Sequence, residues 1–334
     1  MRRKIRIFIN GFGRIGRSAA RIILARDDME IVGINDVYRF EQMGYLLKYD
    51  SVYGVMDQAI RVDRDRLFVD ASDTRLFGCA DAASIPIQEL DIDVVLQCTG
   101  IFLDQQSNQV WIDKGARHVV VSTPPTDDMP VYLYGTNHQA YQGEAILSNS
   151  SCSANAIVPI LNIVDKHWGV RGAQIHMFHS YTAYQKLLDS KHYSQDIRRA
   201  RAAAVNIIPL ESTAAKASAY FFPHLSGNLY AKSIRIPVDA TTMYDLVITT
   251  DAASSAEQIR ETLSHEAARS FGHILSATRE PKVSSDYIGD PHSATVDLPL
   301  VDVAGDHLIR VSAWQDNEYG YACRLVDMAG VAGR

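Results

Sequence analysis

The 334-residue chain carries only four cysteines, Cys79, Cys98, Cys152 and Cys323, with no C-x-x-C pair and no metal-like spacing to histidine. Their scarcity and spacing exclude a disulfide framework and a zinc site, so no metal is expected and reduced thiols of a cytoplasmic protein are. An apolar run long enough to span a bilayer is also missing, which leaves no place for a membrane helix. The basic start MRRKIRIFING lacks the long apolar core and small-residue cleavage site of a signal peptide and reads as a first strand. Nor is there a surplus of positive charge: 33 Lys and Arg against 39 Asp and Glu give a net charge of −6. That balance argues against a nucleic-acid partner. What remains, 47% hydrophobic and 22% charged residues, is the composition of a globular protein, and the length calls for two domains or one large α/β unit.

The first half carries its own punctuation. KIRIFIN (4–10) is a β-branched apolar run followed at once by GFGRIGRSAARIILAR, in which Ile15, Ala19, Ile22 and Ile23 fall at helical spacing. Gly11-x-Gly13-x-x-Gly16 thus lies between a strand and a helix, the setting in which this motif predicts dinucleotide binding. Gly11 allows the turn, Gly13 lets a pyrophosphate approach the backbone, and Gly16 permits close helix–strand packing at a positively polarised helix start. The run EIVGIND ends in Asp36, 20 residues past Gly16, where a carboxylate accepts hydrogen bonds from ribose hydroxyls and repels a 2′-phosphate. The alternative for Asp36 is a turn or capping residue. Further strands at 93–100 and 118–124, with a helical stretch around 105–114, give an α/β pattern: a Rossmann-type, doubly wound parallel sheet.

In SNSSCSANAIVP (148–159) a thiol sits among small hydroxyl groups before an apolar run. A strand, then a helix, places Cys152 at a helix start, where free N–H groups and the dipole favour a thiolate, and Pro159 should bend that helix or disturb one turn. A buried structural cysteine is the competing reading. His179 closes the strand-like AQIHMFHS and is a candidate base, or else an ordinary strand-end histidine. A dinucleotide fold followed by such a pair suggests covalent oxidation of an aldehyde.

At this point the chain resembles the phosphorylating glyceraldehyde-3-phosphate dehydrogenases almost from end to end. INGFGRIGR, VGIND, LLKYDSVYG, CTG, SNSSCSAN, HSYT, IRRARAAAVNIIP, AAKA, IRIP and DNEYGY all occur in that family's order. The resemblance implies that Cys152 is the nucleophile of a hemithioacetal and thioester, with His179 as its ion-pair partner and general acid–base. It implies NAD held by Gly11, Gly13, Arg14, Ile15, Gly16, Asp36, Ser122 and Asn317, the last orienting the nicotinamide amide. It implies two anion sites: Thr182 and Arg235 for the substrate phosphate; Ser151, Ser153, Arg199, Ser212 and Thr213 around the attacking phosphate. Otherwise Arg198, Arg199 and Arg201 are a salt-bridged surface loop. A homotetramer is implied as well, with a sugar-phosphate aldehyde and inorganic phosphate as small-molecule partners.

Several segments depart from the family. Ala154 replaces a hydroxyl residue, Tyr184 an acidic one, and Glu211 precedes Ser212 where a carboxylate beside an anion pocket would weaken phosphate binding. Glu211, FFPHL and DPHSATVD resemble erythrose-4-phosphate dehydrogenase, a close relative that hydrolyses its thioester. Ser190-Lys191 stands where NAD-specific members often have Leu-Pro, which would admit some NADP, while Asp36 favours NAD. A third reading, a catalytically weak NAD-binding paralogue, is opposed by the joint presence of Cys152, His179 and Asn317. The expected architecture is a dinucleotide domain over 1–151, an α+β catalytic domain with a mostly antiparallel sheet over 152–319, and a terminal helix over 320–334 that rejoins the first domain.

Overall fold

The structure, a computed structural model, describes residues 3–334. The chain divides into two compact units: one runs to Ser151 and takes in Tyr321–Arg334, the other is Cys152–Gly320.

The first unit is organised by the strand Ile5–Asn10. From Ile7 to Asn10 it is buried on both faces, as a central parallel strand is, and it lies in the middle of an eight-stranded sheet. From it the chain winds outward through the parallel strands Met29–Asn35 and Ser72–Phe77, then crosses back to place Val94–Gln97 on the other side, followed by His118–Val121 and Ile146–Ser148. An antiparallel ribbon, Ile60–Asp63 and Arg66–Val69, extends the far edge. The reversal between Ile5–Asn10 and Val94–Gln97 makes a topological switch point, so a crevice opens beyond the carboxyl ends of those strands. Below it the buried amides of Asn35, Asn10, Gln97 and Asn108 hydrogen-bond in a chain, from 2.8 to 3.0 Å, which fixes the strand ends against one another. The helix Tyr319–Ala332 crosses into this unit, and its Leu325, Val326, Met328 and Ala329 are fully buried in one core with Ile5, Met29 and Val94.

The second unit is built on another eight-stranded sheet, in which only two pairings are parallel: Val170–Ser180 with Leu229–Ile236, and Leu275–Thr278 with Ala294–Asp297. Thr242–Thr250 and Leu308–Gln315 continue it antiparallel. Along Val170–Ser180 the alternation is clear: Ala173, Ile175, Met177 and His179 are buried, while Gln174 is exposed. The helix Cys152–Trp168 packs on this buried face, against Val170–Ser180 and Thr242–Thr250. The helix runs through Pro159 as one unbroken element. The residues around Pro159, Ile157 to Leu161, are fully buried, and this packing holds a turn that lacks one N–H donor. No helix among the described residues is long and apolar enough to cross a membrane.

Candidate active site

In the first unit, a cavity of about 230 Å³ lies beyond the strand ends, lined among others by Gly11, Gly13, Asp36, Cys98 and Thr99. Gly11 has φ +95°, and a Cβ there would sit 2.6 Å from the Cys98 carbonyl carbon, so the turn accepts no side chain. A Cβ on Gly16 would approach the Gly11 oxygen to 2.1 Å, which fixes how closely the helix Arg14–Leu24 abuts the turn. Gly13, the residue just before this helix, has open space where its Cβ would be. Asp36 follows the second strand; its carboxylate accepts from the amides of Phe12 at 2.6 Å and Val37 at 2.7 Å. These two bonds clamp the carboxylate at the mouth of the glycine turn, where a ribose diol needs an acceptor. The cradle and the acid fit a dinucleotide.

The remaining residues expected at the cofactor have other surroundings. Arg14 forms an ion pair with Asp50, and its guanidinium lies 5.3 Å from the Tyr53 ring centroid. Burial pushes the Asp50 carboxyl up, but the amides of Tyr53 and Val52 and the Arg14 charge outweigh it and hold the carboxyl low. Ile15 packs against the hydrophobic core. Ser122, just past the strand His118–Val121, hydrogen-bonds the Cys98 thiol, which burial nevertheless pushes up to about 12. That thiol is inert at neutral pH.

In the second unit, Cys152 is the first residue of its helix; Ser150, two residues earlier in the chain, has φ +56°, a strained turn for a residue with a Cβ. The Cys152 Sγ lies 4.0 Å from His179 Nε2 and 3.9 Å from Ser153 Oγ. Parallel pairing puts Arg235 directly beside His179. The Arg235 Nη1 is 2.5 Å from His179 Nδ1 and 2.9 Å from the Ser180 carbonyl, while Nδ1 is itself 2.7 Å from that carbonyl. Burial and the Arg235 charge push His179 down to about 3, with the Ser180 carbonyl opposing them. Burial likewise raises the Cys152 thiol, against the pull of Ser153 and Arg235. Burial and the neighbouring Arg235 charge thus both act against a charged imidazole here, since one buried positive charge disfavours a second next to it.

Asn317 is held by its oxygen: Oδ1 accepts from Ser180 Oγ at 3.0 Å and Thr242 Oγ1 at 3.3 Å, leaving both amide N–H donors for a ligand. Thr182 gives its amide and hydroxyl to Gln185 Oε1, at 2.7 and 2.9 Å. In the arginine loop, Arg198 and Arg201 are tied to Asp196 and Asp189, whereas Arg199, the half-buried one, makes no ion pair among the described residues. Ser212 Oγ accepts from the Ala214 amide, and the exposed Thr213 precedes the short helix Ala214–Ala219. Ser151 directly precedes the helix Cys152–Trp168 and is half-buried. Glu211 lies on the exposed side of its strand and pairs with Lys232 opposite it.

Two residues escaped the sequence reading. Tyr244 Oη donates to Gln315 Oε1 at 2.7 Å, and Gln315 Nε2 donates to the Cys152 carbonyl at 3.2 Å. Both are fully buried, and together they tie Cys152, the first residue of its helix, to two strands of the sheet. Their signal is a polar side chain on the apolar phase of an alternating strand: Tyr244 in TMYDLVITT and Gln315 in HLIRVSAWQ. A phenol or amide so placed must find a partner inside.

Residues 5–105 match the family described as glyceraldehyde 3-phosphate dehydrogenase, NAD binding domain, and residues 151–317 match its C-terminal domain. A glyceraldehyde-3-phosphate dehydrogenase of Haloarcula vallismortis is 38% identical over 333 residues, 98% of either chain. Glyceraldehyde-3-phosphate dehydrogenase 2 of Bacillus subtilis is 36% identical over 327 residues, 97% of this chain and 96% of its own. The chloroplastic glyceraldehyde-3-phosphate dehydrogenase A of Zea mays is 36% identical over 333 residues, 98% of this chain and 82% of its own. With the glycine cradle and its clamped acid in one unit and the thiol, imidazole and guanidinium in the other, the chain belongs to the glyceraldehyde 3-phosphate dehydrogenase family of NAD-dependent oxidoreductases.

Proposed function

We propose that this enzyme oxidises glyceraldehyde 3-phosphate in the presence of inorganic phosphate to 1,3-bisphosphoglycerate, through a hemithioacetal and a thioester on Cys152. The observation that carries this reading is the convergence of the Cys152 thiol, His179 Nε2 and the Arg235 guanidinium from a helix start and two parallel strands. Arg235, with Thr182, receives the substrate phosphate and so aims the aldehyde at Sγ. The Cys152 proton passes to His179 Nε2 as sulfur bonds to the carbonyl carbon. His179 then protonates the oxygen, and the Cys152 amide at the helix start stabilises the charge that develops there. Bound NAD supplies the hydride acceptor. As the C–H bond breaks, His179 takes the hydroxyl proton back and a thioester is left on Cys152. Inorganic phosphate, held by Arg199, Ser212, Thr213, Ser151 and Ser153, attacks that carbonyl. The C–S bond breaks, the acyl phosphate leaves, and His179 returns its proton to sulfur. Asn317, fixed through its oxygen by Ser180 and Thr242, presents its N–H groups to the nicotinamide amide.

Erythrose 4-phosphate oxidation with thioester hydrolysis is the rival, and its main support was a carboxylate in the anion pocket. Glu211 is exposed and neutralised by Lys232, which favours the phosphorylating reaction. Initial rates of NAD reduction, with each sugar phosphate and with or without inorganic phosphate, test this. Strong phosphate dependence with glyceraldehyde 3-phosphate is expected, and phosphate-independent turnover of erythrose 4-phosphate would overturn it. The reading places the enzyme in the cytoplasm as a homotetramer. Exposed apolar side chains on the segment 187–207, among them Leu187, Ile197 and Val205, support an assembly that covers them. Sedimentation measures it.

A further inference from the structure

Asn317 owes its placement to the residue before it. Asp316 is fully buried, and its two carboxylate oxygens grip different parts of the chain. Oδ1 accepts from the amides of Glu318 at 3.0 Å and Tyr319 at 2.9 Å, while the Asp316 carbonyl accepts from the Gly320 amide at 3.1 Å. That is an N-cap: the side chain takes two amides of the first turn, and the carbonyl starts the ladder of the helix Tyr319–Ala332. Oδ2 does what a cap does not require. It accepts from the amide of Gly289 at 2.8 Å, 27 positions earlier in the chain. A serine or asparagine can cap a helix with its single acceptor oxygen; a carboxylate adds the second oxygen that reaches Gly289.

The segment that carries Gly289 is itself fastened around the turn. The Tyr287 ring stacks on Trp314 with centroids 5.3 Å apart, and Trp314 Nε1 donates to Asp297 Oδ2 at 3.0 Å. Asp290 accepts from the His292 amide at 3.0 Å and from Thr295 Oγ1 at 2.9 Å. A Cβ on Gly320 would meet the His292 carbonyl oxygen at 2.4 Å, so this segment lies directly against the turn. Asn317 is thus in the middle of a stretch held on both sides, and its own Oδ1 is taken by Ser180 and Thr242.

We propose that Asp316 is a positioning residue for the nicotinamide end of the cofactor. Its two oxygens set the turn that presents Asn317, so the Asn317 N–H groups meet the nicotinamide amide already in place. A side chain ordered before binding costs nothing to order during it. With the turn released, Asn317 has to be ordered at each binding event, and the penalty falls on the nicotinamide end alone. This rests on the role given to Asn317 above and extends it to a residue that touches no ligand.

ADP-ribose is the discriminating probe, because it keeps the adenosine, pyrophosphate and second ribose of NAD and lacks the nicotinamide. Asp316→Asn removes one acceptor oxygen and keeps the shape. It should raise the dissociation constant of NAD about tenfold and leave that of ADP-ribose within about twofold, both read by calorimetric titration. In an Asn317→Ala background the same substitution should cost NAD nothing further, since its effect passes through Asn317. Equal weakening of both ligands, no weakening of NAD, or a full further loss in the Asn317→Ala background overturns the proposal. Amide hydrogen exchange of the wild type needs no variant: the amides of Gly289, Glu318 and Tyr319 should be protected with no ligand bound. Exchange at open-chain rates at these three also overturns it. The two readings fail separately. An Asn317→Ala enzyme that holds NAD as the wild type does removes the Asn317 role and the proposal with it. NAD binding that is sensitive to Asn317→Ala but indifferent to Asp316→Asn removes the proposal alone.

Discussion

The nucleotide-binding unit makes its crevice out of backbone: a glycine turn with no room for a Cβ, two amides clamping Asp36, and strand ends locked by side-chain amides. The catalytic unit makes its centre out of side chains, in which burial and one neighbouring cation act together on a thiol and an imidazole. The first site is a matter of shape and should be insensitive to pH in the neutral range. The second is a matter of charge and should answer to pH, to anions and to single-atom changes in its donors.

The largest effect should come from acid on the catalytic unit. His179 is 4% exposed and is held down to about 3, whereas an unfolded histidine titrates near ~6.5. Between those values the unfolded chain binds a proton that the folded form refuses. Stability is therefore full above ~6.5 and falls as pH drops toward 3, by up to about 4 to 5 kcal/mol. Denaturant unfolding at stepped pH checks this, and His179→Gln should remove that part of the slope. If the slope survives the substitution, the charge account of this site is wrong. Gly16→Ala attacks shape instead. The new methyl meets the Gly11 oxygen at 2.1 Å, and a cost of about 3 kcal/mol is expected together with loss of NAD binding, read by thermal unfolding and NAD titration. Wild-type NAD affinity in this variant would deny that the turn is the cradle.

Tyr244→Phe is a finer cut. It leaves Gln315 Oε1 without its donor and should cost about 1 kcal/mol. Because Gln315 also holds the Cys152 carbonyl, kcat should fall more than NAD affinity, which stopped-flow rates and titration separate. Glu211→Gln should do least. A pair this exposed contributes about 0 to 1 kcal/mol, and the KM for inorganic phosphate should change less than about fivefold on that scale. A large change would put Glu211 back in the anion site.

The contrast also explains what could be read from the amino acids. Gly11, Gly16 and Asp36 announce themselves because a backbone-built site is local: the turn, the helix start and the acid all lie within 26 residues, counting from Gly11 to Asp36. The strands and helices of both units follow from apolar periodicity in the same way. Cys152 and His179 were visible as a helix-start thiol and a strand-end imidazole. Their surroundings were not, because these include burial in the folded sheet and Arg235, brought beside His179 by strand pairing across 56 positions. Tyr244 and Gln315 meet across 71 positions for the same reason. The helical resilience at Pro159 is likewise a property of the packing around it rather than of the residue.

The returning helix has a consequence for how the chain comes into being. Leu325, Val326, Met328 and Ala329 fill the core of the unit that begins at the other end of the sequence. During synthesis that unit must wait until the whole of Cys152–Gly320 has been made, on the order of ten to thirty seconds at ordinary translation rates. Through that interval the faces of Ile5, Met29 and Val94 stay uncovered, a surface that chaperones would recognise. The enzyme-forming unit in the middle can be complete first, so the nascent protein should acquire its nucleophile before it acquires a finished seat for its cofactor.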